Sequence, residues 1–292
     1  MGKCALCDNE KELQLSHIIP KFVGRHLKGT SIGNIRNSEN PNKVVQDLEK
    51  HYMLCHDCEE LFSAAERWFA NNIFYPRIKN GEVDFNYNEY LYYFISSLSW
   101  RSLYLDIMNF VSGDEITIVA LESLIKAERI LKAYLKRERT DIGNIEHHIF
   151  FFDRIKDVGG QRADEFLRQP HVTIHRSVTS YTNCCGDTYF TISNLMGIIV
   201  VTFYHKSEKE EWIGTGIEDG VGNVRAENQG MRSVVGNEFS HWMNLAEEQM
   251  NNMNETQKEK IVQKIKAVGE DIKNYDIYKD IQDDVEIMRT SK

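Results

Sequence analysis

The chain has 292 residues, 41% of them hydrophobic, and only four prolines, a balance that fits one large or two ordinary folded domains and excludes a largely disordered protein. Its net charge of −9 argues against a protein that coats nucleic acid over its whole surface, but the charge is uneven: residues 1–80 carry 11 Lys and Arg against 10 Asp and Glu, and residues 81–292 carry 24 against 34. The longest apolar run, Leu195 to Tyr204, is half of a membrane span, and Met1-Gly2-Lys3-Cys4-Ala5 followed by acidic residues offers no signal peptide, so a reducing cytoplasm without a membrane partner is the expected setting.

In chain order, the first feature is Cys4-Ala5-Leu6-Cys7, answered later by Cys55-His56-Asp57-Cys58. A two-residue spacer lets both thiols of a pair grip one ion from a tight turn, and two such pairs supply the four ligands of a closed, tetrahedral structural zinc site. Disulfides would not account for the doubled spacer in a chain too long to need staples. Between the pairs lies Ser16-His17-Ile18-Ile19-Pro20. After it, Lys21, Arg25, Lys28, Arg36 and Lys43 are met by a single acid, Glu39. A basic stripe of this kind can hold phosphates while the rest of the surface stays acidic, which makes nucleic acid the expected partner.

Leu61, Phe62, Ala65, Trp68 and Phe69 recur at helical spacing from His56 through Asn72, so the second cysteine pair sits at a helix start, with Glu59 and Glu60 in the favourable first turn. Asn80-Gly81 is a turn signal and divides a zinc-held module, residues 1–80, from a second domain, residues 81–292. Glu89 to Phe110 and a segment through Leu121, Leu124, Ile125, Leu131 and Leu135 are expected as a helical pair separated at Gly113-Asp114. Ile149 to Phe152, Val172 to Ile174, Tyr189 to Ile192 and Met196 to Tyr204 are expected as strands of a small, mostly antiparallel sheet. Helix returns from Glu238, where Ile261, Ile265, Val268, Ile272 and Tyr275 form a narrow apolar stripe that either docks on its own domain or seats a partner helix or a second copy. The fold class expected is α+β.

The residues from Cys4 to about Trp68 resemble the HNH endonucleases of the ββα-metal fold. The likeness is carried by the two cysteine pairs, by Leu15-Ser16-His17-Ile18-Ile19-Pro20 as a first strand, and by Leu54-Cys55-His56-Asp57-Cys58-Glu59-Glu60-Leu61-Phe62 as the turn into a helix. It implies a metal-dependent endonuclease that hydrolyses phosphodiester bonds, of the kind found in anti-phage or mobile-element biology. His17 would be the general base and Glu59 a ligand for catalytic Mg²⁺ or Mn²⁺, since imidazole titrates near neutrality and hard cations take oxygen ligands. Ser16 stands where the family commonly has Asp or Glu. The family's middle Asn, which orients the base, falls at Lys50, so His51, Asp47, Asn34, Asn37, Asn40 and Asn42 are its candidate substitutes. The alternative is a catalytically degenerate zinc-stabilised protein that binds nucleic acid and cuts nothing.

Other residues carry less. His171 and His175 flank a β-branched run and on a strand would stand about 13 Å apart, too far to chelate. Cys184-Cys185 beside Gly186 is expected as idle thiols in a turn, His147-His148 has no identifiable partner in the sequence, and Gly214-x-Gly216 lacks the lysine and helix of a phosphate loop.

Overall fold

The computed structural model describes residues 1–36, 40–113, 116–153 and 169–290; Asn37, Glu39 and Asp114 lie outside them. Strands β1 (Gly2–Lys3) and β2 (Glu10–Lys11) pair antiparallel, and the turn between them holds Cys4 and Cys7. Asp8 closes that turn at φ 62°, a left-handed conformation that its short polar side chain tolerates. Strand β3 (Leu13–His17) pairs antiparallel with β4 (Lys50–Cys55), Leu13 opposite Cys55 and His17 opposite Lys50, with a shift of register between Gln14 and Leu15.

The connection from β3 to β4 contains a helix that the sequence pattern does not predict. Helix α1 (Lys21–Gly29) follows Pro20 directly, buries Val23, Gly24 and Leu27, and leaves Lys21, Arg25 and Lys28 exposed. Gly24 is required by close approach, because a Cβ there would meet the Leu48 side chain at 2.7 Å. Helix α2 (His56–Phe69) starts at the second cysteine pair, as its periodicity predicts, and buries Cys58, Phe62, Ala65 and Phe69. It runs through a π turn at Ala70–Phe74 into α3 (Tyr75–Asn80). Pro76 has no amide to give the helical ladder, which accounts for the widening there. Gly81, at φ 67°, ends the run.

Helix α4 (Glu89–Ser112), capped by Asn88, and helix α5 (Ile118–Leu135), capped by Thr117, form the expected pair. Every residue of α4 from Phe94 to Leu103 is buried, which marks a helix covered on all sides. One side lies on a five-stranded antiparallel sheet of order β11-β6-β9-β8-β7, built from β6 (Glu146–Phe151), β7 (Val178–Cys185), β8 (Thr188–Leu195), β9 (Ile198–His205) and β11 (Gly216–Ile217). Strand β5 (Asp84–Tyr87) pairs with β12 (Gly222–Arg225), and β10 (Glu211–Ile213) with β13 (Gly230–Arg232). The opposite face of the main sheet is covered by α7 (Gly236–Asn252) through Phe239, Trp242 and Met243. Helix plus antiparallel sheet is the α+β class expected.

Hydroxyls knit α4 to the sheet. Ser99 bonds Thr202 at 2.7 Å, Ser102 bonds Ser180 at 2.6 Å, and His147 bridges Ser96 and Thr202 at 2.8 Å on each side. His147 therefore has two partners that its sequence neighbours do not reveal. Burial pushes its imidazole down to about 3, so it is held neutral. The core is continuous across residue 80: Leu6, Leu54 and Phe62 share one cluster with Trp100, Leu103, Leu124 and Leu131, and Phe69 stacks on Phe94 at 4.0 Å.

Two expectations are corrected. Val172 to Ile174 is helix, within α6 (Pro170–His175), rather than strand. Pro170 suits the first helical turn, and Asp284 of α9 (Asp276–Thr290) accepts from the amides of His171 at 2.9 Å and Val172 at 3.0 Å. The rings of His171 and His175 consequently lie 5.8 Å apart, and each donates from Nδ1 to an aspartate of α9, Asp284 and Asp280. The apolar stripe is not carried on one helix either: α8 (Glu255–Val268) ends at Gly269, φ 59°, where a 3₁₀ turn (Gly269–Asn274) begins, and no residue of α8 is buried. Among the described residues no helix is long and apolar enough to cross a membrane.

Candidate functional site

Cys4 and Cys7 on the β1–β2 turn, Cys55 at the end of β4 and Cys58 in the first turn of α2 bring their sulfurs within 4.8 Å of one another. The Cys7 and Cys55 sulfurs are 3.9 Å apart, close to the edge of about 3.8 Å that a tetrahedron with zinc–sulfur bonds of ~2.3 Å requires. Backbone bonds hold the halves together, from the Ala5 amide to the Met53 carbonyl and from the Cys55 amide to the Cys4 sulfur. Burial opposes ionisation of Cys4, but amides of Cys7, Cys55 and Leu6 aimed at its sulfur outweigh it and bring the thiol to about 7. Burial and the shared charge push Cys58 the other way. That donor set, closed and all sulfur, fits a structural zinc ion.

His17 ends β3, with its side chain 16% exposed, and its Nε2 lies 3.1 Å from Asp47 Oδ2. Lys50, the residue opposite His17 in the ladder, donates to the same oxygen at 3.1 Å. Among the substitutes for a middle Asn, the structure brings Asp47 to the histidine. His51 turns to Glu49, Asn34 accepts from Lys264, Asn40 accepts from the Asn42 amide, and the Asn42 side chain donates to the Asn252 carbonyl and accepts from the Asn254 amide. Partial burial works against the Asp47 carboxylate, but hydrogen bonds from Lys50, His17 and the Leu48 amide hold it down at about 2.

Because its folded value lies below the ordinary 3.8, Asp47 contributes stability that is complete above that value and is lost as pH falls through about 2. With a third of its side chain exposed, the contribution is roughly 1 kcal/mol. Asp47→Asn is expected to lower the stability by that amount at pH 7, and the gap should close between pH 4 and pH 2 in parallel denaturant titrations. A gap that stays constant across that range would refute the ion-pair account.

Glu59 lies one turn into α2, half-buried, and its Oε1 is buried without a hydrogen-bond partner. Seven residues on, and so on the same face of the helix, Glu66 accepts from Arg101 at 2.7 Å. Arg101 also donates to the main-chain carbonyl of His17 at 2.9 Å. Ser16 is buried, with its hydroxyl directed to the Gln14 carbonyl at 3.5 Å. Among the described residues the cysteine quartet is the only group of three or more His, Cys, Asp or Glu gathered closely enough to hold a metal ion. Neither His17 nor Glu59 belongs to such a group.

Of the five basic residues, Lys21, Arg25 and Lys28 line one exposed face of α1 and Lys43 is exposed on the following loop. Arg36 is engaged within the fold, donating to the Pro41 carbonyl at 2.7 Å and to Gln257 at 3.2 Å. Sequence reasoning missed Arg101 and Glu66, although a lone arginine inside the buried run Ser96 to Leu103 is a signal that could have drawn notice. Comparison with protein-family models, curated proteins and solved structures finds no match.

Proposed function

We propose that the chain is a metal-dependent endonuclease of HNH type, as its motif suggests. The observation that carries this reading is the oriented His17–Asp47 pair at the end of β3, in an antiparallel β3–β4 pair followed at once by α2, whose first turns present the unpartnered Glu59 oxygen. His17 takes the proton of the attacking water while Asp47 fixes its ring and balances the charge that forms. Glu59 would hold Mg²⁺ or Mn²⁺, which supplies charge neutralisation at the phosphate and the leaving oxygen. With so few protein ligands, ion affinity should be weak in the free protein and rise when a substrate phosphate adds an oxygen. Such an activity would suit anti-phage or mobile-element biology.

The second reading, a zinc-stabilised binder that cuts nothing, is favoured by Ser16, a buried neutral hydroxyl where the family places a carboxylate. Cleavage of plasmid DNA and of RNA with Mg²⁺ and Mn²⁺, comparing the parent with His17→Ala, separates the two.

Both readings place phosphates on α1. Neutralising Lys21, Arg25 and Lys28 together to Gln is expected to make the slope of log affinity against log salt shallower by about 2–3, at ~0.7–0.9 per lost phosphate contact. Arg36→Gln should leave that slope unchanged and loosen the loop instead, since its guanidinium is spent on Pro41 and Gln257. Filter-binding isotherms at four or five salt concentrations decide this, and parallel slopes for the parent and the triple variant would show α1 to be merely solvated.

A further inference from the structure

We infer that Arg101 is a positioning residue that sets the spacing between His17 and Glu59, an inference that rests on those two residues forming the site. Arg101 is 2% exposed, so water cannot satisfy its guanidinium and the fold must. Its Nε donates to the Ser97 carbonyl at 3.3 Å, Nη1 to the carbonyl of His17 at 2.9 Å and Nη2 to Glu66 Oε1 at 2.7 Å, with the group seated 5.4 Å from the centre of the Phe62 ring. One planar fork thus spans the two elements that carry the proposed chemistry. It grips β3 at the backbone of the histidine itself, and α2 at a carboxylate two turns beyond Glu59 on the same face. A guanidinium has fixed geometry, so the gap between β3 and α2 is set by a rigid spacer rather than by flexible packing.

The spacer is anchored outside the zinc-bearing elements. Arg101 projects from α4, which Ser99 and Ser102 fasten to Thr202 and Ser180 of the main sheet. Strand β3 and helix α2 are therefore held in register with the five-stranded sheet through this side chain. A lysine could reach one acceptor but could not bridge both in a defined plane.

The test uses the full chain as Arg101→Met, Arg101→Lys and Glu66→Gln, with zinc content, thermal melting, Mn²⁺ affinity by electron paramagnetic resonance, and kcat and KM for a cleaved DNA duplex measured on each. Folded, zinc-loaded Arg101→Met is expected to lose about 100-fold in kcat, the scale of a misplacement of roughly 1 Å, with KM for DNA unchanged within about twofold and Mn²⁺ affinity reduced. Arg101→Lys should recover only part of that loss. Glu66→Gln keeps the arginine but loosens one end of the fork, and should show the same kcat signature at about 3–10-fold, which keeps the idea open to test if Arg101→Met does not fold. A parent that cuts while Arg101→Lys and Glu66→Gln match it in kcat, or differ only in KM, overturns this inference and leaves the endonuclease reading standing. A parent that neither binds Mn²⁺ nor cuts overturns both.

Discussion

Removing the ion from the four cysteines is expected to unfold the chain well beyond the β1–β2 turn, and Cys55→Ser should have the same effect. The apparent binding free energy of a structural zinc site is about 10–16 kcal/mol, as large as the whole stability of about 5–15 kcal/mol of an ordinary domain. In this fold the loss cannot stay local. Cys4, Cys55 and Cys58 lie in the same buried cluster as Phe62, Trp100, Leu103, Leu124 and Leu131, so freeing the cysteine turns exposes one side of the α4–α5 pair. Cys55 both ends β4 and caps α2, whereas Cys7 is only half-buried, and Cys7→Ser should be the milder change. Elemental analysis should find one zinc per chain. Chelation should abolish the cooperative melt followed by circular dichroism, and restoring zinc should return it. A zinc-free preparation that melts like the parent would show that packing alone suffices.

The cysteine quartet was legible in the sequence because its information is local: two spacers, each within four residues, specify the ligand turns before any tertiary contact exists. The long helices α4 and α5 were legible for the same reason, through the periodicity of leucines and aromatics. Helix α1 was not, because nine residues with glycine at Gly24 and Gly29 and four charged or histidine positions give too short an apolar stripe. Helix α6 was misread because Val172-Thr173-Ile174 has strand propensity, and what overrides it is Asp284, more than a hundred residues away, supplying acceptors to the first turn. The candidate site divides along the same line. His17 stood out within a compact motif, and Asp47 was one of several open choices that only the loop's path could settle. Arg101 and Glu66 become relevant solely through the packing of α4 against α2 and β3, which no spacing in the chain encodes.

His17→Ala is expected to reduce metal-dependent cleavage by about 10²–10⁴-fold, the range that a positioned general base contributes, while zinc content and folding stay as in the parent. Its side chain pairs with Asp47, and that carboxylate keeps Lys50 and the Leu48 amide when the imidazole is gone, so the structural cost is small. Glu59→Gln should preserve the helix start, since an uncharged amide fits the same space, but should weaken Mn²⁺ and Mg²⁺ affinity because a neutral oxygen is a poorer ligand for a hard cation. The two variants therefore fail differently: added Mn²⁺ should restore part of the Glu59→Gln rate and none of the His17→Ala rate. A rate unchanged by both substitutions would assign cutting to another site or to a contaminant. An intact chain that cuts nothing and binds no divalent ion in complex with nucleic acid would move the assignment to the zinc-stabilised binder, with the exposed face of α1 as its contact surface.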